Sequence, residues 1–275
     1  SFDVGHFDLI IADESHRSIY NVFGNIFKYF DCLQVGLTAT PVEMVSRSTC
    51  SLFDCGYKDP TANYPLEKAI EEENLVPFEV VAMTTKFLRE GINQKSLNDE
   101  QIAELEDQGI DPNELNFEAK EVDNAVMNKP TNQAILKNLM DMGIKDKDNQ
   151  LIGKTIVFAR RIEHARLLKQ LFDEMYPSLS EGFCEVIHSE EPRAEAFIDQ
   201  FKGIEGSPEK DVTLSISVDM LDTGIDVPEV VNLVFAKPVK SKVKFWQMVG
   251  RGTRLCENLF GAGKDKTKFL IFDHW

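Results

Sequence analysis

The feature that most constrains this chain is an alternation. Short apolar runs of strand length recur between amphipathic stretches of helical period from Thr131 to the end. The runs Thr155–Ala159, Cys184–His188, Val212–Val218, Val230–Ala236 and Phe269–Asp273 predict strands. The stretches Thr131–Met142, Ile162–Tyr176, Pro192–Lys202 and Lys242–Leu255 predict helices. Strands alternating with helices of about 10–15 residues imply βαβ units and a parallel sheet. A shorter α/β segment precedes them. Phe7–Ala12 predicts a buried strand, Ser18–Phe30 a core-facing helix, Leu33–Leu37 a second strand, and Leu66–Glu73 a further helix. Pro77–Met83 is another strand candidate.

Two α/β lobes are therefore expected: residues 1–75, then a linker over 76–130, then residues 131–275. Only two or three strands precede the linker, so the first lobe reads as truncated at its N-terminus, a fragment of a longer polypeptide. The formal charge is −16, which for the chain as a whole argues against a generic polyanion binder. That charge is uneven. Glu90–Asp123 holds eleven Asp/Glu against two Lys, so the total says little about surfaces elsewhere, and this stretch reads as a solvated acidic insertion. No apolar run reaches the ~20 residues of a membrane span. Five cysteines without a C-x-x-C pair suit reduced thiols rather than a disulfide framework or zinc site.

Four motifs carry chemistry. Asp13-Glu14-Ser15-His16 closes the first strand, at the carboxyl edge where open α/β sheets bind ligands. One carboxylate there suits Mg²⁺ through water and its neighbour an attacking water; an acidic strand end capping the next helix is the other reading. Thr38-Ala39-Thr40-Pro41 ends the next strand and places hydroxyls on the same edge. In Ser217–Pro228, Gly224 allows close approach of backbone to a ligand, and Asp226 is a candidate acceptor for a ribose hydroxyl. In Gln247–Arg254, Arg251 and Arg254 are three apart, so on a helical turn they would share a face and fork a phosphate. Gly153-Lys154-Thr155 mimics the end of a phosphate-binding loop. The first glycine of that loop would fall on Asp148, and a strand rather than a helix follows.

In this order the four blocks resemble motifs II, III, V and VI of the superfamily 2 helicase/translocase motor. Phe7–Asn21, Gly36–Pro41, Lys154–Ala159 and Phe269–Asp273 narrow the likeness to the motor (R) subunit of type I restriction enzymes. Ser15 departs from relatives that often carry cysteine or alanine, at a position supplying no ligand. The resemblance implies two RecA-like lobes, with ATP and Mg²⁺ as substrate and cofactor. It implies double-stranded DNA and the modification and specificity subunits as partners, no membrane, and a cytoplasmic location. By it Asp13 would ligate Mg²⁺ and Glu14 would activate water, while Thr38 and Thr40 would couple nucleotide state to DNA contacts. Gly224 and Asp226 would approach the nucleotide. Gln247, Arg251 and Arg254 would act on the γ-phosphate, with Arg254 as arginine finger. Arg160, Arg161 and Ser217 would contact the DNA backbone. The implied activity is ATP-driven DNA translocation before cleavage by a nuclease domain not found in these residues. With no phosphate-binding loop in the sequence, the chain alone is expected to be inactive. Another superfamily 2 motor (a type III restriction subunit, repair helicase or RNA helicase) and a non-catalytic nucleic-acid-binding or assembly module are the alternatives.

Overall fold

The computed structural model describes residues 2–15, 23–38, 43–44, 47–56, 59–82, 92–93, 116–117, 128–179, 182–203, 212–218, 220–221, 226–239 and 241–274. It divides into two compact units, Ser1–Glu72 with Ser241–Gln247, and Glu73–Lys240 with Met248–Trp275.

The first unit holds β1 (Leu9–Ala12), α1 (Phe23–Tyr29) and β2 (Leu33–Gly36), with β1 and β2 paired in parallel. A small antiparallel pair, β3 (Glu43–Met44) and β4 (Arg47–Ser48), precedes α2 (Thr49–Leu52) and α3 (Leu66–Glu71). The expectation of a buried first strand needs correction: Leu9 is 48% and Ile11 61% exposed, and Leu33 on β2 is 75% exposed. An apolar strand is buried only when sheet neighbours and helices cover it. Among the described residues this sheet has two strands, so much of its surface stays open. Ile26 of α1 is likewise exposed rather than core-facing. The front of that expected helix, residues 18–22, lies outside the described residues.

The second unit carries the large core. Its strands are β5 (Phe78–Ala82), β8 (Thr155–Phe158), β9 (Cys184–Ile187), β10 (Leu214–Ser217), β11 (Asn232–Phe235) and β12 (Phe269–Asp273). They form one parallel sheet in the order β5-β12-β11-β8-β10-β9. Every residue of β8, β10 and β11 is buried, as expected of central strands covered on both faces. The helices are α4 (Lys129–Met142), α5 (Ile162–Met175), α6 (Ala194–Lys202) and α7 (Lys242–Val249), the last straddling the division between the units. Leu136 and Leu139 of α4 and Leu168 and Phe172 of α5 pack with Val157, Ile216, Val234 and Phe272 of the sheet. Asn128 caps α4 by accepting the Thr131 N–H at 3.1 Å, with Pro130 in the first turn.

The strand candidate at Pro77–Met83 is β5, residues 78–82, which joins the second unit's sheet as an edge strand paired with β12 in the register Phe78↔Phe269, although it falls in the stretch assigned to the linker. Only β6 (Ile92–Asn93) and β7 (Asn116–Phe117), an antiparallel pair, are described within the acidic stretch. The helix expected to run to Leu255 ends at Val249. A Cβ on Gly252 would meet the Phe269 ring at 2.3 Å, so the segment after α7 lies flat against β12.

Inside the sheet, Asn232 on β11 organises a connection. Its Oδ1 accepts the Ile144 N–H at 2.8 Å, and its Nδ2 donates to the Ile144 carbonyl (3.1 Å) and to Thr155 Oγ1 (3.2 Å). The loop from α4 to β8 is thereby fastened to the middle of the sheet.

Candidate functional site

Asp13 and Glu14 stand at the carboxyl end of β1. Glu14 has φ +48°, a left-handed conformation uncommon outside glycine and often found at functional sites. Its amide donates to Asp13 Oδ1 at 2.8 Å. The chain then turns so that the Ser15 N–H donates to the Leu37 carbonyl at 2.9 Å, while the Leu37 N–H donates to the Ala12 carbonyl at 2.8 Å. Thr38 follows directly, so the acidic pair and the first threonine share one sheet edge. Ser15 is fully buried, its hydroxyl without a hydrogen-bond partner among the described residues. Gln247, in the segment grouped with this unit, donates from Nε2 to Glu14 Oε2 at 3.3 Å. His16 and Thr40 lie outside the described residues.

The second unit carries the remaining candidates. Ser217 ends β10 fully buried, its Oγ accepting the Leu221 N–H at 2.9 Å. In this arrangement its hydroxyl holds the start of the following loop rather than facing solvent. Gly224 lies outside the described residues. Asp226 pairs with Arg254, Oδ1 to Nε at 3.1 Å, with 66% and 56% of their side chains exposed. Exposed pairs are worth little to stability, so an incoming phosphate can compete for the guanidinium at small cost.

Arg251 and Arg254 do not share a helical face, which corrects the sequence expectation. α7 has already ended, and 250–254 is a turn and extended segment. Thr253 shapes it, donating from Oγ1 to the Gly250 carbonyl at 3.0 Å and accepting the Val76 N–H on its own carbonyl at 2.8 Å. Arg251 is half-buried and Arg254 exposed.

Arg160 and Arg161 open α5. Arg161 lies 3.7 Å from the Glu163 carboxylate. The Arg160 N–H donates to His164 Nδ1 at 3.3 Å, and His164 Nε2 meets Asn132 Oδ1 at 2.9 Å. Burial, with Arg160 and Arg161 adding to it, lowers the His164 pKa to about 4. Lys154, the lysine of the look-alike phosphate loop, donates to the Phe201 carbonyl at 2.6 Å, and Thr155 starts a strand.

Sequence reasoning missed His164, Asn132 and Lys266, all buried behind candidate loops. Their signal was only a polar residue interrupting an apolar pattern. An open cleft of about 460 Å³ beside α5, lined by Arg166, Lys169, Asp173 and Val186 among others, includes none of the candidates. Among the described residues, no group of three or more His, Cys, Asp or Glu is placed to hold a metal ion, and no helix is long and apolar enough to cross a membrane.

Comparison with known proteins agrees along the chain. Residues 1–43 match the family model described as type III restriction enzyme, res subunit, and residues 132–256 match the helicase conserved C-terminal domain. The chain is 27% identical to the type I restriction enzyme EcoAI endonuclease subunit of Escherichia coli, over 91% of this chain and 30% of that protein. It is 25% identical to the EcoKI endonuclease subunit of Escherichia coli K12, over 98% of this chain and 24% of that one. A solved fragment of a putative HsdR subunit of a type I restriction enzyme from Vibrio vulnificus YJ016 aligns with a TM-score of 0.66 and 25% identity. That match covers 99% of this chain and 44% of the fragment. The chain spans less than a third of the length of these two curated relatives.

Proposed function

We propose that this chain, which is similar to the endonuclease subunits of type I restriction enzymes and matches the helicase conserved C-terminal domain over residues 132–256, is an ATP-hydrolysing superfamily 2 motor module that moves double-stranded DNA. The observation that carries the reading is the Asp13–Glu14 pair at the end of β1 with Gln247 on the Glu14 carboxylate. Asp13 is exposed, and the bond from the Glu14 amide occupies one of its oxygens. That donor set fits Mg²⁺, which takes one or two carboxylates, phosphate oxygens and its own waters. A bound Mg²⁺ would offset phosphate charge during transfer.

Glu14 accepts a proton from the attacking water, and Gln247 fixes the carboxylate's orientation. Asp226 and Gly224 approach the nucleotide. Arg251 and Arg254 offset charge developing on the γ-phosphate, Arg254 as the finger released from Asp226. Thr38 and Thr40 couple the nucleotide's state to DNA contacts. Arg160 and Arg161 bind the DNA backbone directly, and Ser217 acts through the loop it holds. Modification and specificity subunits would supply site recognition, and a nuclease domain outside these residues would supply cleavage, in the cytoplasm. A type III restriction motor is the second reading, favoured by the match at residues 1–43; independence from a specificity subunit would identify it.

Glu14→Gln tests the assignment in the full-length polypeptide carrying this sequence. The amide is isosteric but a poor proton acceptor. ATP and Mg²⁺ affinity should stay near wild type while DNA-stimulated turnover falls about 10²–10⁴-fold. Undiminished turnover would remove Glu14 from the chemistry.

A further inference from the structure

Between the 226–228 and 251–254 segments of the second unit lies a lysine that the mechanism above does not use. Lys266 is 2% exposed. Its Nζ donates to the Pro228 carbonyl at 2.9 Å and lies 5.9 Å from the centre of the Phe269 ring. Pro228 is two residues beyond Asp226. The Phe269 ring fills the space where Gly252 would carry a Cβ, two residues before Arg254. One buried side chain therefore touches the supports of both members of the Asp226–Arg254 pair.

The chain builds a hairpin that delivers it. Residues 256–266 fold back on themselves, with the Lys266 N–H on the Cys256 carbonyl (2.9 Å), the Asn258 N–H on Asp265 Oδ1 (2.7 Å) and the Gly263 N–H on Asn258 Oδ1 (2.6 Å). Gly261 and Gly263 take positive φ in its turn. Burying an ammonium is costly, and here burial lowers the amine's pKa to about 8 despite the nearby Glu229 carboxylate. A methionine of similar length would fill the same space without that cost, giving up the bond to the Pro228 carbonyl, which is half-buried.

We propose that Lys266 is a positioning residue for hydrolysis: by holding the Pro228 carbonyl against the Phe269–Gly252 contact, it fixes the separation and aim of Asp226 and Arg254 toward the nucleotide. This rests on the reading that those two residues engage ATP.

The test compares wild type, Lys266→Met, Gly252→Ala and Arg254→Ala in the full-length polypeptide. Lys266→Met should leave Tm within a few degrees of wild type or raise it. DNA affinity without nucleotide should be unchanged, and kcat should fall at least tenfold while KM for ATP moves less than threefold. Gly252→Ala, which displaces the Phe269 ring from the other side, should reproduce the kcat loss. Wild-type kcat in Lys266→Met, or a kcat loss matched by a large fall in Tm, overturns the proposal. Full turnover in Arg254→Ala overturns the underlying reading instead, so the two failures are distinct.

Discussion

His164 shows how one buried side chain fixes the loop that carries Arg160 and Arg161 and makes it sensitive to acid. Because its Nδ1 accepts the Arg160 N–H, Nε2 carries the ring proton and donates to Asn132 Oδ1. A second proton would remove the acceptor beside two arginines. With the folded pKa lowered to about 4 from 6.5, the unfolded chain binds this proton first. The stabilisation is complete above about pH 6.5 and is lost as pH falls from there to about 4, by about 3 kcal/mol at most. Urea midpoints measured at pH 7 and pH 5 should therefore differ more for wild type than for His164→Gln, which cannot titrate; equal pH dependence would contradict this. The acidic pair at 13–14 was legible in sequence because an apolar strand ending in carboxylates has a fixed place on a sheet. His164 and Lys266 were not, because their partners, Asn132 and Pro228, are 32 and 38 residues away.

At the level of elements, apolar periodicity located the central strands and helices of the second unit to within a few residues, and Phe269–Asp273 in full. It failed where another element decides the outcome. α7 stops at Val249 because the chain after it must lie on Phe269. β1 looked buried because its composition is apolar, yet burial depends on what covers it. Asn232 is a single polar residue in the apolar run Val230–Ala236, and it ties a loop to two strands. Its replacement by alanine would orphan the Ile144 N–H, while the Ile144 carbonyl keeps the Gly153 N–H at 2.8 Å. An unpaired buried group costs about 1–3 kcal/mol, so Asn232→Ala should lower unfolding free energy by about 2 kcal/mol in urea titration. A loss under about 0.5 kcal/mol would show that water satisfies the loop instead.

For the whole molecule, the two units should differ in stability. The buried side chains of the large core belong to the second, whereas Leu9, Ile11, Leu33 and Val35 of the first stand exposed. Local opening costs least where few apolar groups are buried. In the 275-residue chain, amide exchange of β1 and β2 should be at least about 100-fold faster than that of β8, β10 and β11; equal protection would contradict the division. The pairing of β5 with β12 carries a consequence for biosynthesis. Phe78 is synthesised about 190 residues before its partner Phe269, so through that interval β5 exists without its place in the sheet. Such distant pairings form late and leave strand edges open to wrong partners meanwhile. The nascent chain therefore carries an unpaired strand edge over that interval, and slowing synthesis prolongs its exposure rather than helping the edge strand find its seat.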